Sequence, residues 1–341
     1  MLPGGRRPAA VGWPVVEQRA LGRSGLVVSR LALGTMTWGG DTDEDEAAMQ
    51  LTAFVDAGGT LVDTADVYCD GESERTLGHL LADVVPRSQV LVATKAVGRT
   101  GPGPMGRGAS RGHLVSALDA SLERLGLDYV DLWQLHAWDE TTPLEETLAA
   151  CDLAVSSGRA RYVGVSNFTG WQTAQAATWQ RAWPGRTPLV STQVEYSLLQ
   201  RGVEREVVPA AEALGLGVLA WSPLGRGLLT GKYRHSTPSE SRGASPQWQA
   251  FIDGLRSATS DRIVEAVITA AQGLGTTPLA VALAWVRDRP GVVAPVVGAR
   301  TAQQLQASLD AESVRLPAAI RTALEDVSAP HFSYPDRRSD R

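Results

Sequence analysis

The chain has 341 residues, 43% of them hydrophobic and 20% charged, which is enough to bury a sizeable core; α/β barrels commonly reach about 250 residues as one unit. A formal charge of −5 excludes a general affinity for nucleic acid or an anionic membrane, so any anionic ligand must be caught by local basic groups and backbone N–H donors. Cys69 and Cys151 are the only cysteines, which is no disulfide framework and suits a reducing cytoplasm.

Residues 1–14 carry Arg6, Arg7, prolines, glycines and alanines but no apolar segment of a signal peptide, and no run is long enough to span a bilayer. A poorly ordered extension and a cytoplasmic location are expected. Residues 15–20 and 26–29, separated by Gly22-Arg23-Ser24-Gly25, read as a β-hairpin. A strand–helix alternation follows. Short apolar strands are expected at 30–34, 60–63, 90–95, 130–136, 161–165, 189–193, 218–221 and 292–297. Helical periodicity fills 44–57, 73–84, 111–125, 144–156, 171–182 and 204–214 between them. Further helices are expected at 261–272 and 279–286 after the seventh strand, at 302–309 after the eighth, and at 318–326. Thr142-Pro143-Leu144-Glu145 reads as a capping box with proline at the first helical position, Thr169 to Gln172 and Thr301 to Gln304 have the same spacing, and Thr277-Pro278 opens a helix similarly.

Eight strand–helix units with right-handed crossovers close most naturally into a (β/α)8 TIM barrel, with an open doubly wound sheet as the other arrangement. The N-terminal β-hairpin and the extra C-terminal helices then decorate an α/β barrel. Residues 224–257 have weak periodicity and a Pro/Ser/Gly/Arg-rich centre, which marks a long loop that is either functional or partly disordered. No repeat or linker divides the chain, so residues 15–330 are expected to form a single domain, with a tail at 331–341.

The C-terminal strand ends of such a barrel form its active face. Here they read Asp63, Lys95, His136, Ser166-Asn167, Gln193, Trp221-Ser222 and Gly298 to Arg300, each after an apolar run. Taken singly, each has an ordinary explanation: a cap, a snorkelling strand end, a satisfied histidine, a loop contact. Their coincidence on one rim favours function. Lys95 stands out further, because Lys95 and Lys232 are the only lysines among 32 basic residues. The two-residue period puts Leu91, Ala93 and Lys95 inside the barrel with Gln134 and His136, and turns Trp133 and Leu135 toward the helices.

Asp63, Tyr68, Lys95 and His136 make a coherent chemical set. A phenol with a pKa of about 10 is a poor acid at neutral pH. A buried ammonium beside it favours the phenolate and is expected to lower that pKa, while a carboxylate holds the ammonium in place. The histidine can orient a substrate carbonyl, and the tyrosine can protonate its oxygen. Nothing among these residues delivers electrons, so a hydride donor must come from outside the chain.

From Glu17 to Leu309 the chain resembles the aldo-keto reductases. The resemblance rests on Leu33-Gly34-Thr35-Met36, Val62-Asp63-Thr64-Ala65-Asp66-Val67-Tyr68, Ala93-Thr94-Lys95, Leu135-His136 and Gly164-Val165-Ser166-Asn167-Phe168. It continues through Gln193-Val194-Glu195-Tyr196, Trp221 to Gly227 and Gly298-Ala299-Arg300, and is greatest to bacterial branches that also resemble potassium-channel β-subunits. It implies Tyr68 as acid/base, Lys95 and Asp63 as its tuning pair, and His136 as the carbonyl-positioning group. It also implies Ser166, Asn167 and Gln193 on the nicotinamide carboxamide, Trp221 stacked on its ring, and Ser222, Leu224 and Gly225 along the pyrophosphate. Thr35 and Met36 join the cofactor-binding set, and Gly298, Arg300 and Gln304 would bind the adenosine half.

The cofactor so implied is NADP(H), because the planar Arg300 guanidinium suits a 2′-phosphate. Many relatives have an acid-amide pair near the adenine, where this chain has Ala307 and Ser308. Met36, Trp38 and Trp138 would line an aromatic pocket for a small-molecule carbonyl substrate, with no nucleic acid or membrane partner. Two strings are set aside. Gly101 to Gly106 matches G-x-G-x-x-G but contains Pro102 and Pro104 and opens no helix. Cys69 lacks an activating histidine pattern, and the histidines at 79, 113, 136, 235 and 331 show no metal-ligand spacing. Two rival functions remain open: a cofactor-sensing binding subunit with little turnover, and a Schiff-base lyase using Lys95.

Overall fold

Strands β1 (Gln18–Ala20) and β2 (Val27–Ser29) pair antiparallel ahead of the main sheet, giving the expected hairpin. Eight parallel strands then close into a barrel in the order β10-β3-β4-β5-β6-β7-β8-β9, which excludes the open sheet. They are β3 (Ala32–Gly34), β4 (Leu61–Asp63), β5 (Leu91–Ala96), β6 (Val130–Leu135), β7 (Ala160–Ser166), β8 (Leu189–Glu195), β9 (Gly217–Trp221) and β10 (Val292–Gly298). This computed structural model describes residues 16–234 and 246–331; the expected extension at 1–14, nearly all of the tail and the centre of the long loop lie outside the described residues.

Helices α1 (Glu44–Asp56), α2 (Glu72–Asp83), α3 (Arg111–Leu125), α4 (Leu144–Ser156), α5 (Gly170–Arg181) and α6 (Val207–Leu214) follow the strands β3 to β8 in turn. The long connection after β9 holds a 3-10 turn at Gly225–Thr230 and an unforeseen helix α7 (Pro246–Asp253), followed by α8 (Ala258–Leu274) and α9 (Pro278–Arg287). After β10 come α10 (Ala302–Asp310) and α11 (Ala318–Val327).

The capping motifs turn out unevenly. Thr169 and Gln172 form the full reciprocal box at the start of α5, and Thr277 caps α9 with proline following. At α4 the expected box is absent: Pro143 is the cap residue, and the Thr142 hydroxyl donates instead to Asp139 at 2.8 Å. Asp139 wins because it also gathers the Ala109 and Thr141 N–H groups, closing the loop ahead of α4. At α10 Thr301 caps Gln304, but the Gln304 side chain takes the Arg300 N–H rather than that of Thr301.

The barrel interior grades from apolar to polar along the strands. At the N-terminal end, Leu21, Leu26 and Val28 from the hairpin pack against Leu61, Ala93, Leu132 and Leu219. Each such aliphatic side chain contributes about 1.5–3 kcal/mol on full burial. The opposite strand face packs Val62, Val92, Trp133 and Val163 against helix residues such as Leu77, Leu118 and Leu148. Parallel register then sets Lys95 beside Gln134, Gln134 beside Gly164, and Ser166 beside Gln193. Gly164 is needed there, since an added Cβ would lie 2.1 Å from Ser191 Oγ.

Away from that rim, Arg287 is fully buried and donates to the carbonyls of Ala311 (2.9 Å) and Val314 (2.8 Å) while pairing with Asp288 at 2.7 Å and Glu312 at 3.5 Å. Glu312 is also buried and pairs with Arg30 at 2.5 Å, so this cluster ties α9 and the segment after α10 to the start of β3. Arg287→Ala leaves Glu312 with half its charge partners and takes a donor from the carbonyls of Ala311, Glu312 and Val314. It is expected to cost about 3–5 kcal/mol, read as a lower urea midpoint; an unchanged midpoint would contradict this account.

Candidate active site

The inward phase of β5 carries Lys95 to the top of the polar layer, where it is fully buried. Its ammonium has three protons and three acceptors: Asp63 Oδ2 at 2.6 Å, the Thr64 carbonyl at 2.8 Å and the Tyr68 hydroxyl at 3.2 Å. Asp63 ends β4, and Tyr68 opens a short 3-10 turn at Tyr68–Gly71 after the intervening loop. His136 follows β6 directly, tied by its N–H to the Ala96 carbonyl at 2.8 Å, and its ring meets that of Tyr68 edge-on at 5.9 Å. All four residues singled out from the sequence therefore lie together at the C-terminal mouth of the barrel.

Because Lys95 donates to the phenolic oxygen, the hydroxyl proton of Tyr68 is left free to serve another acceptor. Two residues complete the second oxygen of Asp63: Gln193 Nε2 donates to Oδ1 at 2.8 Å and Gln134 Nε2 at 3.3 Å. Gln134 was not among the expected site residues, although its inward phase at the level of Lys95 was legible. A glutamine in an apolar strand was the available signal.

The titration states follow from burial set against charge. Burial pushes the Tyr68 phenol above its usual value; Lys95 pulls it back only in part, and Asp63 adds to the rise. This corrects the expectation that the ammonium would bring the phenol below its ordinary pKa: desolvation wins, and Tyr68 keeps its proton. For Lys95 burial opposes the charge, but Asp63 and Tyr68 outweigh it, and its pKa is raised. A Schiff-base lysine must lose its proton, so this geometry disfavours the lyase alternative. Burial, aided by Lys95, brings the His136 imidazole down to about 3, so it is neutral and one of its nitrogens is an N–H donor.

The cofactor candidates assemble on the adjoining rim. Asn167 Nδ2 donates to the His136 carbonyl at 2.9 Å and to Ser166 Oγ at 3.2 Å; its Oδ1 accepts from the Trp221 indole at 3.0 Å. Ser166 Oγ in turn donates to the Gln193 carbonyl at 2.9 Å. Asn167 and Ser222 have φ of 57° and 50°, the left-handed region that non-glycine residues seldom occupy outside turns and functional sites. The Trp221 ring is stacked at 6.5 Å on Phe251 of α7. Leu224 and Gly225 start the 3-10 turn that follows, and Arg226 beyond them is bidentate to Glu195 at 2.8 and 2.7 Å. Gly298 is exposed at the end of β10, and Arg300, half-buried, makes no side-chain hydrogen bond or ion pair among the described residues.

Three expected positions sit differently. Trp38 is fully buried and donates to Gln50 Oε1 of α1 at 3.2 Å, so it is a core residue and not a pocket wall. Thr35 is also fully buried, its hydroxyl bonded to Ser73 Oγ at 2.7 Å and the Asp63 carbonyl at 3.3 Å, which makes it a tie beneath the site. Gln304 has its side-chain oxygen engaged at the start of α10. Met36 is half-buried, and its carbonyl accepts from Cys69 Sγ at 3.4 Å. That thiol is pushed up by burial and by Asp41, Asp70 and Glu72, the opposite of an activated nucleophile. Trp138 does face the rim, edge-on to Phe168 at 5.2 Å and to Trp171 at 5.3 Å. Trp171, 58% exposed at the start of α5, was missed from the sequence because its helical register resembled any amphipathic turn.

The profile of the Aldo/keto reductase family matches residues 30–328. The chain is 38% identical over 324 residues to "Uncharacterized oxidoreductase YrpG" of Bacillus subtilis, covering 92% of this chain and 96% of that protein. It is 37% identical over 331 residues to a "Probable voltage-gated potassium channel subunit beta" of Oryza sativa, covering 94% and 98%. It is also 34% identical over 310 residues to "L-glyceraldehyde 3-phosphate reductase" of Escherichia coli, covering 87% of each chain.

The His136 assignment has a pH consequence. The unfolded chain takes up this proton near ~6.5, whereas the folded chain refuses it down to about 3. Below the unfolded value the unfolded state binds more protons, so this group's contribution to stability falls as the pH drops through that window. The His136 ring resonances are expected to stay fixed between pH 8 and 5, and His136→Gln should flatten part of the acid-side loss of stability. A ring titrating near 6.5 would overturn the assignment.

Proposed function

The chain belongs to the aldo/keto reductase family, and from that premise we propose that it reduces an aldehyde or ketone with NADP(H), Tyr68 giving the proton. The observation that carries this reading is the saturated Lys95 ammonium. With all three of its protons committed, it has none to give directly to a substrate, and since the Tyr68 oxygen accepts one of them, the phenol keeps its own proton for donation. A neutral His136 beside it donates to the same carbonyl oxygen and orients it without competing as an acid.

The rim suits a nicotinamide dinucleotide. It offers an aromatic platform at Trp221, an amide at Asn167 with backbone in the left-handed region, a turn beginning at Gly225, and a cation at Arg300 that has no side-chain partner among the described residues. When bound, that cofactor supplies the hydride. Ser166, Asn167 and Trp221 would hold its nicotinamide end, and Ser222, Leu224 and Gly225 its pyrophosphate. Gln193 contributes chiefly by holding Asp63, its amide nitrogen being engaged there. Arg300, before the N-terminus of α10, favours a 2′-phosphate by charge and by the helix dipole.

The substrate side is the wall made by Trp138 and Trp171, backed by the buried Phe168. It suits small carbonyl compounds with a flat or apolar face. Among the described residues no single helix is long and apolar enough to cross a membrane. The free thiols Cys69 and Cys151 suit a cytoplasmic location.

The likeness to a probable channel β-subunit supports a second reading, a cofactor-sensing subunit with little turnover. The complete proton-transfer group argues for turnover. Stopped-flow oxidation of bound NADPH by 4-nitrobenzaldehyde separates the two: reduction predicts rapid loss of the cofactor signal, and none with saturated cofactor would sink it. Tyr68→Phe should lower reduction by ~100-fold or more, as expected for a lost general acid, with cofactor binding retained. Arg300→Ala should weaken NADPH far more than NADH; equal weakening would refute the phosphate role.

A further inference from the structure

Where an anionic ligand would meet α10, the protein places a carboxylate of its own. Glu46, in the first turn of α1, reaches across to α10, and its Oε1 accepts the backbone N–H of Ala302, the first residue of that helix. The opening N–H groups of a helix lack intrahelical acceptors and carry partial positive charge, so they are the donors a phosphate would use. The N–H of Gln304 is taken by Thr301 Oγ1 at 3.2 Å and that of Arg300 by the Gln304 side chain at 3.1 Å. Glu46 is held in place by its own N–H on Asp43 at 2.9 Å. The loops that lead from β3 and β10 to these helices are joined by the Thr37 hydroxyl, which donates to the Ala299 carbonyl at 3.3 Å. Arg300, two residues before Ala302, meanwhile has no side-chain partner among the described residues.

The arrangement sets a fixed negative charge and an uncommitted positive charge at one helix end. A 2′-phosphate dianion there gains Arg300 but must displace Glu46 from Ala302 or sit beside it, two like charges at close range. A ribose 2′-hydroxyl has the opposite preference, since a carboxylate accepts its proton. We propose that Glu46 is the residue that decides cofactor choice: it penalises the 2′-phosphate of NADP(H) and accepts the 2′-hydroxyl of NAD(H), so preference is set by its balance with Arg300. The inference rests on the reading that the adenosine end of the cofactor lies at Arg300.

The test titrates the full-length protein with NADPH and with NADH, following quenching of tryptophan fluorescence, for the parent, Glu46→Gln, Glu46→Asp and Arg300→Ala. Glu46→Gln keeps an oxygen acceptor for the Ala302 N–H and removes the charge. It should tighten NADPH by roughly tenfold relative to NADH. Glu46→Asp keeps the charge and should stay close to the parent. If Arg300→Ala selectively weakens NADPH but Glu46→Gln leaves the ratio unchanged, or if the aspartate variant gains as much as the glutamine, the role of Glu46 is overturned while the site survives. If Arg300→Ala weakens both cofactors alike, the phosphate position itself is wrong. Adenosine 2′,5′-bisphosphate supplies an independent readout, and its affinity should rise in Glu46→Gln by the same factor as that of NADPH.

Discussion

Everything at the mouth of the barrel answers to one buried ion pair, Lys95 with Asp63 at 2.6 Å. Desolvating two charges costs several kcal/mol each, and the pair is tolerable only if every remaining donor and acceptor is met. Here the accounting closes. Lys95 finds the Thr64 carbonyl and the Tyr68 oxygen; Asp63 finds Gln134 and Gln193. Thr64 and Tyr68 come from the connection after β4, Gln134 from β6 and Gln193 from β8, so the pair joins four of the barrel's strands when β5 is included. It also explains why the polar layer cannot be replaced by ordinary aliphatic packing without losing the chemistry. A well-packed hydrophobic layer would be as stable or more so, so stability does not account for the pair, whereas the proposed proton-transfer role does.

That expense is confined to one end. Parallel strands all finish on the same side, so polar residues appended to their C-terminal ends converge without disturbing the interior beneath them. Below Asp63 and Lys95 the inward positions are Leu61, Ala93 and Leu132, capped by Leu21 and Leu26 of the hairpin. Stability resides in this apolar plug and in the sheet–helix interface, and the mouth is free to carry strained backbone at Asn167, Ser222 and Arg226.

This division also explains what was legible in the sequence. Strand phase is a local property, so the inward face of Leu91, Ala93, Lys95 and Gln134 could be read from a period of two, and the convergence of Asp63, Tyr68, Lys95 and His136 followed. Packing outcomes were not local. Trp38 and Trp138 look alike in sequence, each in a loop after a strand. The first is drawn into the core by Gln50 of α1, whereas the second stays at the rim. The box at Thr142 failed for a similar reason, because Asp139 competes for the same hydroxyl. The sign of the Tyr68 shift could not be read either: it is a difference between burial and the Lys95 charge, and only the three-dimensional depth of the hydroxyl decides it. Helix α7 lay next to a Pro/Ser/Gly/Arg-rich segment that masked its short periodicity.

The proposed proton machinery and the proposed substrate wall are consequently built from different materials. Asp63 and Lys95 sit on strands, with Tyr68 held to them by a direct bond to the lysine, so their geometry is as rigid as the barrel. Trp138 and Phe168 sit on the loops after β6 and β7, and Trp171 on the first turn of α5. Exposed aromatic residues on such positions would ordinarily be loosely placed. The capping box of Thr169 and Gln172 pins the start of α5, and the edge-on contact with Trp138 fixes the Trp171 ring in turn. On the proposed function, an exposed tryptophan held this firmly would select substrates by shape without bearing on the acid–base step. On that proposal, reaction type and substrate range could diverge independently in this fold, with strand ends setting the first and loop aromatics the second.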